Sequence, residues 1–183
     1  MSAIFYLFDV DHGQAAALRL PNGRWCVFDA GCTSAFSPVS WIAGSAPVSL
    51  LGSSLGHAFG FRLLKGTVSH LHGDHIADHG HLFQHGPDFL KTVEVDQSYL
   101  DDCYATCADD SSKAMVRNFH QRCVGGFSPA VSVPDYGGVQ ISELYLPVAA
   151  ARHVGGGANS RVNNASVVTR IDACGTSILL CGD

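Results

Sequence analysis

Charge is scarce in this chain. Asp, Glu, Lys and Arg make up 15% of its 183 residues, and only Glu94 and Glu143 are glutamates. A chain so poor in charge and 46% hydrophobic can bury enough apolar surface to offset its ordering entropy, which excludes intrinsic disorder. Basic side chains are the minority, 11 against 16 acidic for a net charge of −5. No general positive field exists to hold duplex nucleic acid or an anionic membrane. Long hydrophobic runs are missing too: each is broken by Asp, Gly or Arg well short of the ~20 residues of a transmembrane helix. No Lys or Arg precedes Arg19. Met1-Ser2-Ala3-Ile4-Phe5-Tyr6-Leu7-Phe8-Asp9 meets an aspartate at once and is expected to be a first strand rather than a signal peptide.

The seven cysteines form an odd set, most in apolar surroundings such as Trp25-Cys26-Val27 and Leu180-Cys181-Gly182. Reduced, buried thiols in a cytoplasmic protein are therefore expected in place of a disulfide framework. Cys103-x-x-x-Cys107 has no second pair at zinc-finger spacing, so it is not taken as a metal site. The length suits a single domain spanning 1–183.

Strands are expected over Ile4–Val10, Ala15–Leu20 and Arg24–Asp29, with Pro21-Asn22-Gly23 as a hairpin turn. From Cys32 to Gly60 the chain is rich in Ser, Gly and Pro, which predicts a long excursion with one short helix. A buried strand is expected over Leu63–Ser69, a helix over Ile76–Gln84 and a short strand over Thr92–Val95. Asp101–Arg122 is polar and helix-compatible. Val139–Leu146 alternates like a strand and leads through Pro147 into the loop around Gly155-Gly156-Gly157. A last hairpin, Ala165–Ile171 and Thr176–Cys181, turns at Ala173-Cys174-Gly175. That order predicts an α+β fold of stacked sheets with helices outside.

Histidine is what the sequence has in excess. Ten are present, and His70, His72, His75, His79, His81 and His85 fall in one short stretch. Side chains alternate along an extended segment, so in His70-x-His72-x-Asp74-His75 the first three project to one side. His75, opening a helix, can turn towards the same point. Three imidazoles and a carboxylate suit a borderline-soft divalent ion, with zinc the expected metal. His79, one helical turn after His75, and the similarly spaced His81 and His85 are read as surface or supporting histidines beside these better ligands. His12, in the first turn, could approach from an opposite loop. Asn164 is read as a turn cap.

His70-Leu71-His72-Gly73-Asp74-His75 resembles the signature of the metallo-β-lactamase-fold metallohydrolases. Phe8-Asp9-Val10-Asp11-His12-Gly13-Gln14 through Phe28-Asp29-Ala30-Gly31 is similar to that family's opening hairpin and Asp-x-Gly motif. Asn163-Asn164-Ala165-Ser166-Val167-Val168 through Leu179-Leu180-Cys181-Gly182-Asp183 is similar to its later hairpin and Gly-Asp motif. These segments most resemble the branch that contains the hydrolase-like domain of bacterial DNA-uptake competence proteins. Asp11-His12-Gly13-Gln14 departs from it, since that branch more often shows Gly-x-Gly-Asp there. Residues 32–60 and 96–138 carry no resemblance.

The resemblance implies an αββα four-layer sandwich, expected to lack its C-terminal part because the family's last histidine ligand lies beyond the Gly-Asp motif. It implies that His70 and His72 hold one ion with a third histidine, that Asp74 and His75 hold a second, and that Asp183 bridges both. His153 in the Gly-rich loop is the main candidate for the third histidine and His120 the other. One ion or two is left open. Asp29 is implied to lie beneath the site as a structural carboxylate.

Zinc held by neutral imidazoles with an open position lowers the pKa of its water to about 7, which supplies hydroxide at neutral pH. Asp74 is then the expected catalytic group, a ligand that also accepts a hydrogen bond from the nucleophile. Metal-assisted hydrolysis is the expected activity. A phosphodiester in a short or cyclic molecule is preferred over a lactam, ester or thioester, with Arg152, Arg161 and Arg170 as local cationic patches. Stable duplex binding and membrane attachment are not expected. The alternative is a metal-binding or partner-binding module that keeps the fold without catalysis.

Overall fold

The computed structural model describes residues 2–45, 63–126 and 134–183. Five strands form a mixed sheet in the order β1 (Ile4–Leu7), β2 (Ala16–Arg19), β3 (Trp25–Phe28), β4 (Lys65–Thr67), β5 (Phe89–Lys91). The first three pair antiparallel, whereas β3, β4 and β5 run parallel. A second, antiparallel sheet comprises β6 (Gln140–Leu144), β7 (Val168–Ala173) and β8 (Thr176–Leu180). The turn between β7 and β8 places both Cys174 and Gly175 at positive φ, as a two-residue type I′ hairpin requires.

Alternation along the strands decides the packing. From β2 and β3, Ala17, Trp25 and Val27 face helices α1 (Pro38–Ser45), α2 (Gly73–Ile76), α3 (His79–Gln84), α4 (Gln97–Thr106), α5 (Asp110–Gly126), α6 (Val148–His153) and α7 (Ala158–Asn164). Their neighbours Ala16, Leu18, Cys26 and Phe28 face the second sheet, where they meet Ile171, Ile178 and Leu180. Among the described residues the layers are thus helices, mixed sheet and antiparallel sheet. The far face of the second sheet is exposed along Ser142, Arg170 and Leu179. Buried Lys65 joins the sheets through Glu143, whose carboxylate also accepts the Thr67 hydroxyl at 2.7 Å.

The architecture is mixed α and β, compatible with α+β. Several boundaries differ from expectation. The strand expected over Thr92–Val95 lies earlier, at Phe89–Lys91, because its partner β4 ends at Thr67. The polar stretch expected near 101–122 is two helices, broken between Thr106 and Asp110. Two short helices, α6 and α7, flank the Gly-rich loop, and Gly155 and Gly156 make the reversal between them at φ 91° and 102°. Of the excursion expected over Cys32–Gly60, α1 is the described helix; residues 46–60 lie outside the described residues.

Candidate metal centre

Strands β3 and β4 run parallel, so their carboxyl ends open at the same edge of the sheet, where clefts form in such sheets. Asp29 follows β3 directly, and His70 follows β4 after Val68-Ser69. The β7–β8 hairpin brings Asp183 to the same edge from the other sheet. Close backbone approach makes this fit. Gly182 is at φ 67°, and a Cβ on it would lie 3.1 Å from Ser166 Cβ and 3.2 Å from Ser69 Cβ. A Cβ on Gly13, in the β1–β2 loop, would overlap the carbonyl oxygen of Asp74.

The ligand-capable atoms converge. His70 Nε2 lies 2.9 Å from His72 Nδ1 and 3.8 Å from Asp183 Oδ2. His75 Nε2 lies 3.1 Å from Asp183 Oδ1 and 3.9 Å from Asp74 Oδ2. His70, His75 and Asp183 each offer one atom within 4.8 Å of the other two. Donor atoms around a tetrahedral zinc at 2.0–2.1 Å stand roughly 3.3 Å apart, so these separations suit such an ion. Three nitrogens and two carboxylates are also the donor chemistry of a borderline-soft divalent metal. The residues fit the group.

A buried carboxylate organises the cluster from beneath. Asp29 sits at φ 55°, a left-handed conformation that Asp tolerates better than most residues. Its Oδ1 accepts the Ser69 N–H at 2.6 Å, and its Oδ2 accepts the Ser69 hydroxyl at 2.9 Å. Oδ2 also faces His75 Nδ1 at 3.0 Å. An acceptor-only carboxylate takes the proton of Nδ1, so Nε2, 3.1 Å from Asp183 Oδ1, is the nitrogen that would face a bound ion. With its hydrogen given to Asp29, the Ser69 oxygen is an acceptor for His70 Nδ1 at 3.0 Å, and Ser166 Oγ stands 3.2 Å from the same nitrogen. His70 Nε2 is thereby left with its lone pair.

Electrostatics favour neutral imidazoles at His70 and His72 and act the other way at His75. Burial, with His75 and His72 adding, pushes His70 down to about 2. Burial also lowers His72, against the pull of the Asp74 charge. For His75 burial acts downward, but the Asp29 hydrogen bond and the charges of Asp29, Asp74 and Asp183 outweigh it and raise the ring. His72 Nε2 is buried without a hydrogen-bond partner.

His70, His72, Asp74, His75 and Asp183 are thus brought together. His153 is not: it ends α6, is exposed, and lies outside the converging set. The physical reason is that α6 packs through Val148 and Ala151, which turns its last residue towards solvent. His120 lies on α5, within the segment that packs through Val116 and Phe119. His79 Nδ1 is held by the Ile76 carbonyl, and His81 Nδ1 by Asp78. His12 is exposed in the loop that touches Asp74. Asn164 reaches the Gly155 carbonyl at 3.5 Å. Ser166 and Tyr99, both in contact with the His70–His72 segment, were not read from the sequence, where they stand 96 residues from His70 and 28 from Leu71.

Compared with known proteins, the chain matches no protein-family model, and no curated protein matches it either.

Proposed function

We propose that the chain is a metal-dependent hydrolase of the metallo-β-lactamase type, with zinc the ion that its donor set suits. The observation that carries this reading is the convergence of His70 Nε2, His72 Nδ1, His75 Nε2 and the Asp183 carboxylate above the Asp29–Ser69 brace. His70, His72 and Asp183 would hold one ion; Asp74, His75 and Asp183 would hold a second. A bound divalent ion supplies Lewis acidity towards water and towards a substrate oxygen.

The protein's own groups supply the rest. Asp29 and Ser69 keep protons on the outward nitrogens of His75 and His70, so that the inward lone pairs stay free. The Asp74 side chain is 40% exposed at the mouth of the cluster. Its carboxylate would accept a hydrogen bond from the attacking water and aim that water's lone pair. Gly13 and Gly182 let two loops close on the site without a side chain between.

A small phosphodiester is the preferred substrate over a lactam, ester or thioester. Arg152 and Arg161 are engaged by Asp102, and Arg170 by Asp172, so the cationic patches noted in the sequence are internally paired. That argues against duplex binding, which needs many Lys and Arg contacts to phosphate. Among the described residues, no helix is long and apolar enough to cross a membrane. A cytoplasmic setting is the reading drawn from the odd cysteine count; of the seven, Cys26 and Cys103 are buried, whereas Cys174 and Cys181 are exposed rather than buried as expected.

A second reading, a metal-binding module without catalysis, is favoured by the exposed position of His153, which leaves the first ion short of a histidine. Metal content of the purified chain, followed by assays on bis-p-nitrophenyl phosphate, a thioester and a chromogenic lactam, separates the two. Bound zinc with chelator-sensitive turnover is expected. Bound metal without turnover selects the second reading, and protein free of metal that cannot be loaded overturns both.

A further inference from the structure

We propose that Tyr99, on a helix that contributes no ligand, is a positioning residue of the metal centre: its hydroxyl fixes the backbone between His70 and His72 and so sets the separation of their inward nitrogens. This rests on reading the cluster as a metal centre.

The segment that carries the two histidines leaves the sheet just past β4. The Val68 N–H is held by the Lys91 carbonyl at 2.8 Å, and the Ser69 carbonyl by the Val167 N–H at 2.8 Å. The His72 carbonyl is held by the His75 N–H at 3.0 Å. Leu71 lies between these ties, past the end of β4 at Thr67, with its side chain buried in the core. The partner of its N–H is Tyr99 Oη at 3.2 Å, within the protein interior. Cys103 follows one helical turn on, and its buried thiol is a neighbour of the hydroxyl. A backbone N–H can only donate, so the Tyr99 oxygen is the acceptor of this bond.

The mount is rigid. The Asp96 carboxylate caps α4 through the Tyr99 N–H at 2.7 Å. One turn on, Asp102 ties the same helix to Arg152 of α6 and Arg161 of α7. The peptide unit between His70 and Leu71 is therefore fixed by a side chain 28 residues away. If that contact is lost the peptide can rotate, and rotation moves the His70 and His72 rings relative to each other. Their nitrogens now stand 2.9 Å apart.

Tyr99→Phe keeps the ring and removes only the oxygen. The test is titration of the full chain with Co2+ and with Zn2+ alone, in wild type, Tyr99→Phe and Cys103→Ala. Second-sphere contacts commonly tune metal affinity by 10–100-fold, and for this indirect one about a 10-fold weakening is expected, with a shifted Co2+ visible band. Cys103→Ala, which keeps the hydroxyl, is expected to bind and absorb as wild type. Identical affinity and spectrum in Tyr99→Phe would overturn the inference and leave the metal centre standing. Wild-type protein that binds neither ion would overturn the proposed function and this inference with it. Should Tyr99→Phe fail to fold, 3,5-difluorotyrosine at position 99 weakens the oxygen as an acceptor while keeping the shape; it should weaken binding too, and unchanged affinity sinks the idea.

Discussion

Asp29 Oδ2 and His75 Nδ1 stand 3.0 Å apart in the protein interior, and the same carboxylate takes both hydrogen bonds of Ser69. One acidic side chain therefore holds the proton positions of two candidate metal-binding histidines. Asp29→Asn offers one acceptor where the native site uses two oxygens. It is expected to weaken zinc affinity by about 10–100-fold, read by calorimetric titration. Wild-type affinity in the variant would show that the carboxylate does not govern the histidines.

Zinc itself should raise stability. A ligand that binds only the folded state stabilises by about 2.7 kcal/mol at 100 times its Kd. A rise of several degrees in Tm on adding Zn2+ is expected for the wild-type chain. It should vanish in a His70→Ala, Asp183→Ala double variant. Equal shifts in both proteins would place the ion elsewhere.

Gly13→Ala puts a methyl group against the Asp74 carbonyl, so either the β1–β2 loop or the Asp74 backbone has to move. A loss of about 2 kcal/mol by urea denaturation is expected, in the range for overpacking a tight contact. Gly80→Ala, where a Cβ meets nothing within 4 Å, is the control and should be neutral or slightly stabilising.

Asp102 gives the pH dependence. The Arg161 hydrogen bond, with Arg152 and the charges of both arginines adding, holds its carboxyl below the usual range against the opposing effect of burial. A carboxylate with a depressed folded pKa contributes stability that is fully present above its unfolded value, about 3.9, and is lost as pH falls through the lower folded value. Asp102→Asn is therefore expected to cost about 2 kcal/mol at pH 7, less than a fully buried pair because both arginines reach solvent. The difference from wild type should shrink below pH 4. A constant difference down to pH 2 would rule out the charge as its origin.

Lys65 and Glu143 link the two sheets from side chains that are 9% and 16% exposed. Lys65→Ala leaves Glu143 as a nearly buried charge and is expected to cost about 3 kcal/mol. Replacing both by Met and Leu should restore most of that loss, as measured by thermal unfolding.

Much of the site could be read from residue order, because its geometry is local. His70, His72, Asp74 and His75 lie within six residues, and an extended segment followed by a helix start is enough to bring them to one neighbourhood. The opening hairpins were legible for the same reason: alternation and turn residues act over a few positions. The helices α6 and α7 were not, because short helices on either side of three glycines carry little periodicity and are held by packing. His153 was misplaced in consequence, as a loop residue rather than the exposed end of a helix.

The sequence by itself determined which chemistry was on offer: imidazoles and carboxylates at ligand spacing, in a chain of net charge −5. Only the tertiary structure decided which of them meet. Asp183 reaches His75 from 108 residues away, Ser166 reaches His70 across two sheets, and Tyr99 reaches Leu71 from a separate helix. Such contacts depend on how strands are ordered and how closely glycines let backbones approach, which are properties of the packed layers and not of any one segment.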